Sequence, residues 1–224
     1  MENRFYMESL IITSYQNFIG TKAKQYIDNG IKFTCEDFVL ETIVQYSFQR
    51  RLPFWFKTGS QTFNSTSEKY RNVYEFKSRL LSRAGANDLA NNKNTIRVAP
   101  EIPNGSLKLL KEAQVGDIIL LDQNNDDVYD HAQLVTGVTD KNVFVAQGNT
   151  QRGICYTIWD SSDPDDKSCY VGKPVASFHH ELSSGKYSRD SVLLFKKASA
   201  TLRRWNIGNL RREFKDLKVG YKKY

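Results

Sequence analysis

The chain has 224 residues, of which 40% are hydrophobic and 25% charged, and its formal net charge is +7. These values are typical of a globular protein, and they exclude disorder, collagen and coiled coil as descriptions of the whole chain. The longest aliphatic runs, such as residues 118–121, are far shorter than the roughly 20 residues that a membrane span needs. No apolar stretch near the N-terminus is long enough for an export signal, so we expect a protein that is cytoplasmic as made.

The first two predicted helices lie before residue 50. Apolar residues at helical spacing predict an amphipathic helix over residues 7–29, which Asn29-Gly30 ends. Thr34 is placed to cap a second helix that runs from Cys35 to about Gln49. Because this second helix is apolar on most of its faces, we expect it to be central and buried.

The rest of the chain changes from helical to strand-like periodicity. Residues 51–67, rich in Ser, Thr and Asn, predict a surface loop. A third helix is expected over residues 68–81, with an extension to residue 91 as the longer alternative. Turns are expected at residues 124–127 and 139–142. Strands are predicted over residues 118–122, 131–139, 143–147, 154–159 and 191–196. Helices followed by an antiparallel meander indicate the α+β class.

The positive charge is concentrated at the C-terminal end. Residues 196–224 contain ten Lys or Arg and two acidic residues, whereas residues 1–195 sum to a charge of −1. This distribution argues against a nucleic-acid enzyme built around a basic cleft. We expect residues 1–195 to form the functional domain and residues 196–224 to be a basic extension packed on it or trailing from it. The extension is either a solvated terminus or an accessory. As an accessory, it would meet an anionic surface through Arg203-Arg204 and Arg211-Arg212, while Trp205 and Leu210 tether it to the body.

A cysteine at a predicted helix start is the candidate nucleophile. The unpaired amides and the dipole of the first turn favour a thiolate at Cys35. Such an enzyme also needs an imidazole to accept and return the proton, and a third group to orient the ring. His131 begins one predicted strand and Gln147 lies on the next, so a hairpin between them brings the two side chains near each other. Asn149 shares a strand face with Gln147, and alternation leaves open which of the two faces the ring.

The remaining cysteines and histidines predict neither a disulfide scaffold nor a metal site. The chain has three cysteines and three histidines, no Cys-x-x-Cys, and only His179-His180 as a close pair. We therefore expect no metal and no cofactor. Cys155 and Cys169 are interpreted as buried thiols, with pairing across residues 161–168 in an oxidising compartment as the alternative.

Four short motifs resemble the papain-related cell-wall hydrolases, the NlpC-like peptidases and the CHAP amidases. The motifs are Cys-Glu-Asp-Phe-Val at residues 35–39, Val-Gly-Asp-Ile at 115–118, Asp-His-Ala-Gln-Leu-Val at 130–135 and Val-Phe-Val-Ala-Gln-Gly-Asn at 143–149. The resemblance implies a papain-like fold in which the nucleophile helix packs on an antiparallel sheet, with Cys35, His131 and Gln147 as the triad. The chain departs from the family at Thr34, where Asp or Asn is usual, and at Gln147, where Glu, His or Asn is commoner.

The resemblance favours a hydrolase that cleaves amide bonds in peptidoglycan stem peptides. It would act as a phage product, a recycling enzyme, or a toxin exported by a contractile or non-classical system and paired with an immunity protein. Two alternatives stay open: a peptidase, deamidase or acyl transferase that acts on host proteins, and a binding protein that keeps the fold without catalysis. No nucleic-acid partner and no membrane span are expected.

Overall fold

The computed structural model describes residues 2–98, 107–152, 170–182 and 199–207. The α-helices in these ranges are α1 (Glu2–Asp28), α2 (Cys35–Gln49) and α3 (Val73–Leu81), and 3-10 helices span Ala86–Ala90 and Leu107–Glu112. The strands are β1 (Lys32–Phe33), β2 (Trp55–Thr58), β3 (Gln61–Asn64), β4 (Thr95–Arg97), β5 (Ile118–Asp122), β6 (His131–Val138), β7 (Asn142–Arg152), β8 (Tyr170–Glu181) and β9 (Ser199–Trp205). Among the described helices, none combines the length and the apolar composition needed to cross a membrane.

Seven strands form one antiparallel sheet in the order β1-β8-β7-β6-β5-β9-β4, and β2 pairs with β3 in a separate hairpin. Strands β5, β6 and β7 follow one another as a meander, as the sequence predicts, and β8, which the sequence analysis does not predict, continues it. The α+β class with an antiparallel sheet is therefore confirmed, and the papain-like fold stays a prediction.

Alternating side chains give the sheet two buried faces. One face packs against α1, α2 and the β2–β3 hairpin, and it includes Ile118, Leu120, Ala132, Leu134 and Ala146. The other face forms a second apolar cluster of Ile119, Leu121, Val135, Val143, Val145, Phe178, Ala200 and Leu202. Because both faces are covered, β5 is buried along its whole length.

Helix α2 has the predicted bounds, whereas α1 ends where the sequence predicts but begins at Glu2, five residues before the predicted start. Gly30 has a φ of +59°, its N–H donates to the Ile27 oxygen, and the Ile31 N–H donates to the Tyr26 oxygen. This pair of bonds is a Schellman motif, which ends α1. Helix α2 begins at Cys35 because the Thr34 side chain accepts a hydrogen bond of 3.3 Å from the Asp37 amide.

Three predictions about the middle of the chain are wrong in part. Residues 51–67 contain the β2–β3 hairpin as well as loop, because Phe56 and Phe63 are buried in the core. The third helix begins at Val73 and not at residue 68, since Asn72 caps it by accepting from the Glu75 amide at 2.9 Å. It ends at Leu81, as predicted, and the longer alternative to residue 91 is wrong because Ala86–Ala90 form a separate 3-10 helix. The predicted turn at 124–127 lies between β5 and β6, and the one at 139–142 joins β6 to β7, with Asn142 as the first residue of β7.

Residues 199–205 form β9, which lies inside the sheet between β5 and β4. Arg203 is 2% exposed, and Arg204 pairs with Asp117 at 2.7 Å. The expectation that these two arginines meet an anionic surface is therefore wrong, because both are used within the fold. Trp205 does tether this segment, since its Nε1 donates to the Tyr15 hydroxyl at 2.9 Å.

Some predictions lie outside the described residues. These are the strands at 154–159 and 191–196, Cys155 and Cys169, and the basic segment beyond residue 207. The division of the chain into residues 1–195 and 196–224 stays a prediction.

Candidate active site

The thiol of Cys35 is buried at the start of α2. Cys35 is the first helical residue and is 3% exposed. Its Sγ lies 3.0 Å from Oε2 of Glu36 and 3.9 Å from the backbone oxygen of Asp130. A backbone hydrogen bond from Ala132 also reaches the sulfur. The sulfur therefore contacts the backbone on both sides of His131.

The ring of His131 lies against Gln147 across the β6–β7 pair. His131 is the first residue of β6, and its Nε2 is 2.9 Å from Oε1 of Gln147 on β7. Gln147 is 8% exposed, so this hydrogen bond is shielded from water. Strand alternation leaves both Gln147 and Asn149 as candidates for the residue that faces the ring, and Gln147 makes this contact. The side chain of Asn149 lies outside the described residues.

A glycine next to Gln147 lets β7 approach the start of helix α2. The pairing of β7 with β8 shifts register between Gln147 and Asn149. A Cβ placed on Gly148 would lie 2.3 Å from the Thr34 oxygen and 2.6 Å from the Phe33 oxygen. Only glycine allows this approach, which holds the strand carrying Gln147 against the residues that precede Cys35.

Burial keeps both the thiol and the imidazole neutral at rest. Burial raises the pKa of Cys35 well above 9.0, the neighbouring Glu36 carboxylate raises it further, and backbone hydrogen bonds from Ala132 and Glu36 oppose the shift. Burial lowers the pKa of His131, against the opposing effects of its bond to Gln147 and of the charges on Glu36 and Asp130. At neutral pH the resting pair is therefore a thiol and an imidazole, and not a thiolate and an imidazolium.

Three polar residues near this pair did not emerge from the sequence as site residues. Glu36 is 8% exposed and contacts the sulfur, but a carboxylate in the first turn of a helix is usually a dipole partner exposed to solvent. Gln133 Nε2 lies 2.7 Å from Gln147 Oε1, and His180 Nε2 lies 3.0 Å from Gln133 Oε1. Gln133 could have been found from its sequence position, because residues two apart on a strand share a face and His131 lies two residues before it. His180 could not, because it lies on β8, which is not among the predicted strands.

The described residues contain no group of three His, Cys, Asp or Glu side chains that could hold a metal ion. The expectation of an enzyme without a metal stays a prediction.

Comparison with known proteins places the chain in a family. The sequence model of the Amidase_6 family, a putative amidase domain, matches residues 7–171, which is more than half of the chain. The chain belongs to this amidase family. No curated protein and no solved structure gives a significant match. The matched range contains Cys35, His131 and Gln147, and membership indicates hydrolysis of amide bonds.

Proposed function

We propose that this amidase-family protein is a cysteine hydrolase related to the NlpC-like and CHAP enzymes, with Cys35, His131 and Gln147 as its triad. The observation that carries the proposal is the contact of the Cys35 sulfur with the backbone at Asp130 and Ala132, on either side of a histidine whose ring is held by Gln147. Thiol acyl transfer requires a cysteine and a histidine close together, and the position of the Cys35 sulfur against the strand that begins at His131 supports this pairing.

The proposed reaction begins with a neutral thiol. As Sγ of Cys35 attacks the amide carbon, its proton passes to Nδ1 of His131, while Nε2 keeps its bond to Gln147. The backbone N–H of Cys35 is one of the helix-start amides without a partner inside the helix, and it is the proposed donor to the oxyanion. When the C–N bond breaks, His131 returns the proton to the leaving amine. Water then hydrolyses the thioester with His131 as the base, and the thiol is restored.

A neutral pair makes His131 a true general base. Since the resting sulfur carries its proton, His131 has to take that proton before or while the new S–C bond forms. Gln147 orients the ring but does not carry a charge that would stabilise an imidazolium, as a carboxylate would. We therefore expect turnover to be modest beside that of an enzyme with a carboxylate at this position.

The proposed substrates are peptidoglycan stem peptides, on the strength of the four motifs shared with cell-wall hydrolases. A cognate immunity protein and a secretion apparatus are the proposed partners if the protein is an exported toxin. The direct test is to incubate the purified protein with peptidoglycan fragments and with denatured protein substrates, and to identify the products by mass spectrometry beside Cys35→Ala.

The proposal predicts new amine termini in the stem peptides, absent with Cys35→Ala. Cleavage or deamidation of the protein substrates alone would replace the proposed substrate and keep the triad. A Cys35→Ala protein that folds and retains full activity would contradict the triad itself. Labelling with limiting iodoacetamide at neutral pH checks the thiol independently. Although the resting thiol of Cys35 is neutral, His131 is proposed to take its proton as it reacts, so Cys35 is expected to react before Cys155 and Cys169.

A further inference from the structure

A row of buried polar side chains continues from His131 into the protein. Oε1 of Gln147 lies 2.9 Å from His131 Nε2 and 2.7 Å from Gln133 Nε2. Oε1 of Gln133 lies 3.0 Å from Nε2 of His180. Gln133 is 2% exposed and His180 is fully buried, so the row is closed to water at its inner end.

This row of polar side chains lies in apolar surroundings, where it adds little to the stability of the fold. His180 pairs with Val143 in the β7–β8 ladder, and Val143 belongs to the apolar cluster on that face of the sheet. Burying polar groups in such a cluster gains little stability even when every bond is made, and apolar side chains of similar shape are often as good or better. The row therefore indicates a role beyond holding the strands together.

The hydrogen-bond directions along the row are coupled. An amide oxygen only accepts, so the Gln133 oxygen requires the proton of His180 to be on Nε2. The amide nitrogen of Gln133 then donates to the Gln147 oxygen, which in turn requires the proton of His131 to be on its Nε2. The opposite sense is possible only if both amides and both rings reverse together. The tautomer of His131 is thus tied to that of His180.

We propose that Gln133 and His180 are positioning residues, which hold the Gln147 oxygen towards His131 and so leave Nδ1 of His131 unprotonated as the base. This inference rests on the proposed function, because a base at Nδ1 matters only if His131 takes a proton from Cys35. Burial lowers the pKa of His180 to about 3, so the ring stays neutral and its Nε2–H remains a donor over the whole working range of pH.

The first measurement uses the unmodified protein. Nitrogen-15 NMR distinguishes the two neutral tautomers of histidine, and the chain has three histidines, so a His131→Ala spectrum assigns the signal of His131. We expect the Nε2–H tautomer for both His131 and His180. An Nδ1–H tautomer at His131 would overturn the inference, whether or not the protein hydrolyses anything.

The second measurement compares variants of His180 with a matched control. His180→Leu and Gln133→Leu remove the inner end of the row, whereas His180→Gln keeps a donor within reach of Gln133. His179→Leu is the control, because His179 alternates to the opposite face of β8 and its ring lies 5.9 Å from that of Phe144. For the two Leu variants we expect kcat to fall by about tenfold to a hundredfold with little change in KM, as for a misplaced catalytic group.

The expected pattern is a lower kcat together with a mixed His131 tautomer in His180→Leu, recovery of both in His180→Gln, and neither effect in His179→Leu. An unchanged tautomer and kcat in His180→Leu would contradict the inference while leaving the triad intact. If His180→Leu does not fold, Gln133→Leu and His180→Gln decide by the same two readouts. If the unmodified protein shows no turnover, the proposed function fails, and the tautomers of the variants still decide whether the row controls His131.

Discussion

Replacing Gly148 by alanine tests whether the close approach of β7 positions the nucleophile. The added Cβ would lie 2.3 Å from the Thr34 oxygen, 2.6 Å from the Phe33 oxygen and 2.8 Å from the Thr34 carbonyl carbon. All three are backbone atoms of the segment that leads into Cys35. No rotation of a side chain can relieve these contacts, so either this segment or β7 must move.

The size of the displacement follows from the contact distances. Non-bonded heavy atoms pack at roughly 3.5 Å, so relieving the 2.3 Å contact moves the Thr34 backbone or β7 by about 1 Å. Overpacking of this kind costs about 1–3 kcal/mol of folding stability. A shift of about 1 Å between Cys35 and the His131–Gln147 pair is expected to lower kcat/KM by about a hundredfold.

The assay is hydrolysis of a stem peptide or the rate of Cys35 alkylation, measured beside urea denaturation. Gly20→Ala is the matched control, because Gly20 lies within α1 and a Cβ there meets nothing within 4 Å. That control is expected to gain about 0.5–1 kcal/mol of stability and to keep its activity. If Gly148→Ala has the stability and the kcat/KM of the unmodified protein, the approach of β7 does not position Cys35 and the reasoning fails.

Two further substitutions probe charge at the site and in the fold. Because the Glu36 carboxylate raises the pKa of Cys35, Glu36→Gln should speed alkylation of the thiol at pH 7. Asp37→Asn is the control, since it removes the same charge one residue further along α2 and should change the alkylation rate less. Equal alkylation rates in both variants would contradict a specific effect of Glu36. Asp117 is 1% exposed, and its two carboxylate oxygens accept from Arg204 at 2.7 and 2.8 Å. Asp117→Asn should therefore lower the free energy of unfolding, measured by urea denaturation, by about 3 kcal/mol. A loss below about 1 kcal/mol, which is typical of an exposed ion pair, would refute the claim.

The parts of the site that could be predicted are those fixed by neighbouring residues. Thr34 followed by an acidic turn and an apolar run predicts the start of α2, and therefore the position of Cys35, because capping is a local interaction. The start of β6 at His131 and the turn before β7 follow in the same way from a change of periodicity. Once those elements are set, strand pairing brings Gln147 near His131 without further information.

The parts that could not be predicted depend on contacts between distant segments. Strand β1 has two residues, too few for any periodicity, and it exists because it pairs with β8. The many turn-forming residues in 51–67 predict a loop and give no sign of the β2–β3 hairpin, although Phe54, Phe56 and Phe63 are buried in the core. Glu36 has the local sequence of an exposed helix-start acid, yet in the fold it is 8% exposed and its carboxylate lies 3.0 Å from the Cys35 sulfur.

Strand β9 shows how such pairing overrides the local pattern of charge. The sequence around Arg203 and Arg204 is basic, which on its own predicts exposure, yet the ladder between β5 and β9 places Arg203 opposite Ile118, inside the sheet. There its guanidinium donates to the Thr95 hydroxyl at 2.9 Å and to the Asn92 side chain at 2.9 Å, which replaces the water that the charge gives up.

Arg204 faces the other way from Arg203 and joins β9 to the strands of the candidate site. Arg204 binds Asp117, whose backbone oxygen accepts from the Val135 amide of β6 at 2.8 Å. Strand β6 begins with His131, so the salt bridge supports the same pair of strands that presents the ring. Two of the ten basic residues beyond residue 195 thus belong to the framework of the candidate site. Any electrostatic role for this end of the chain must then come from the other eight, at residues 196–197 and 211–223.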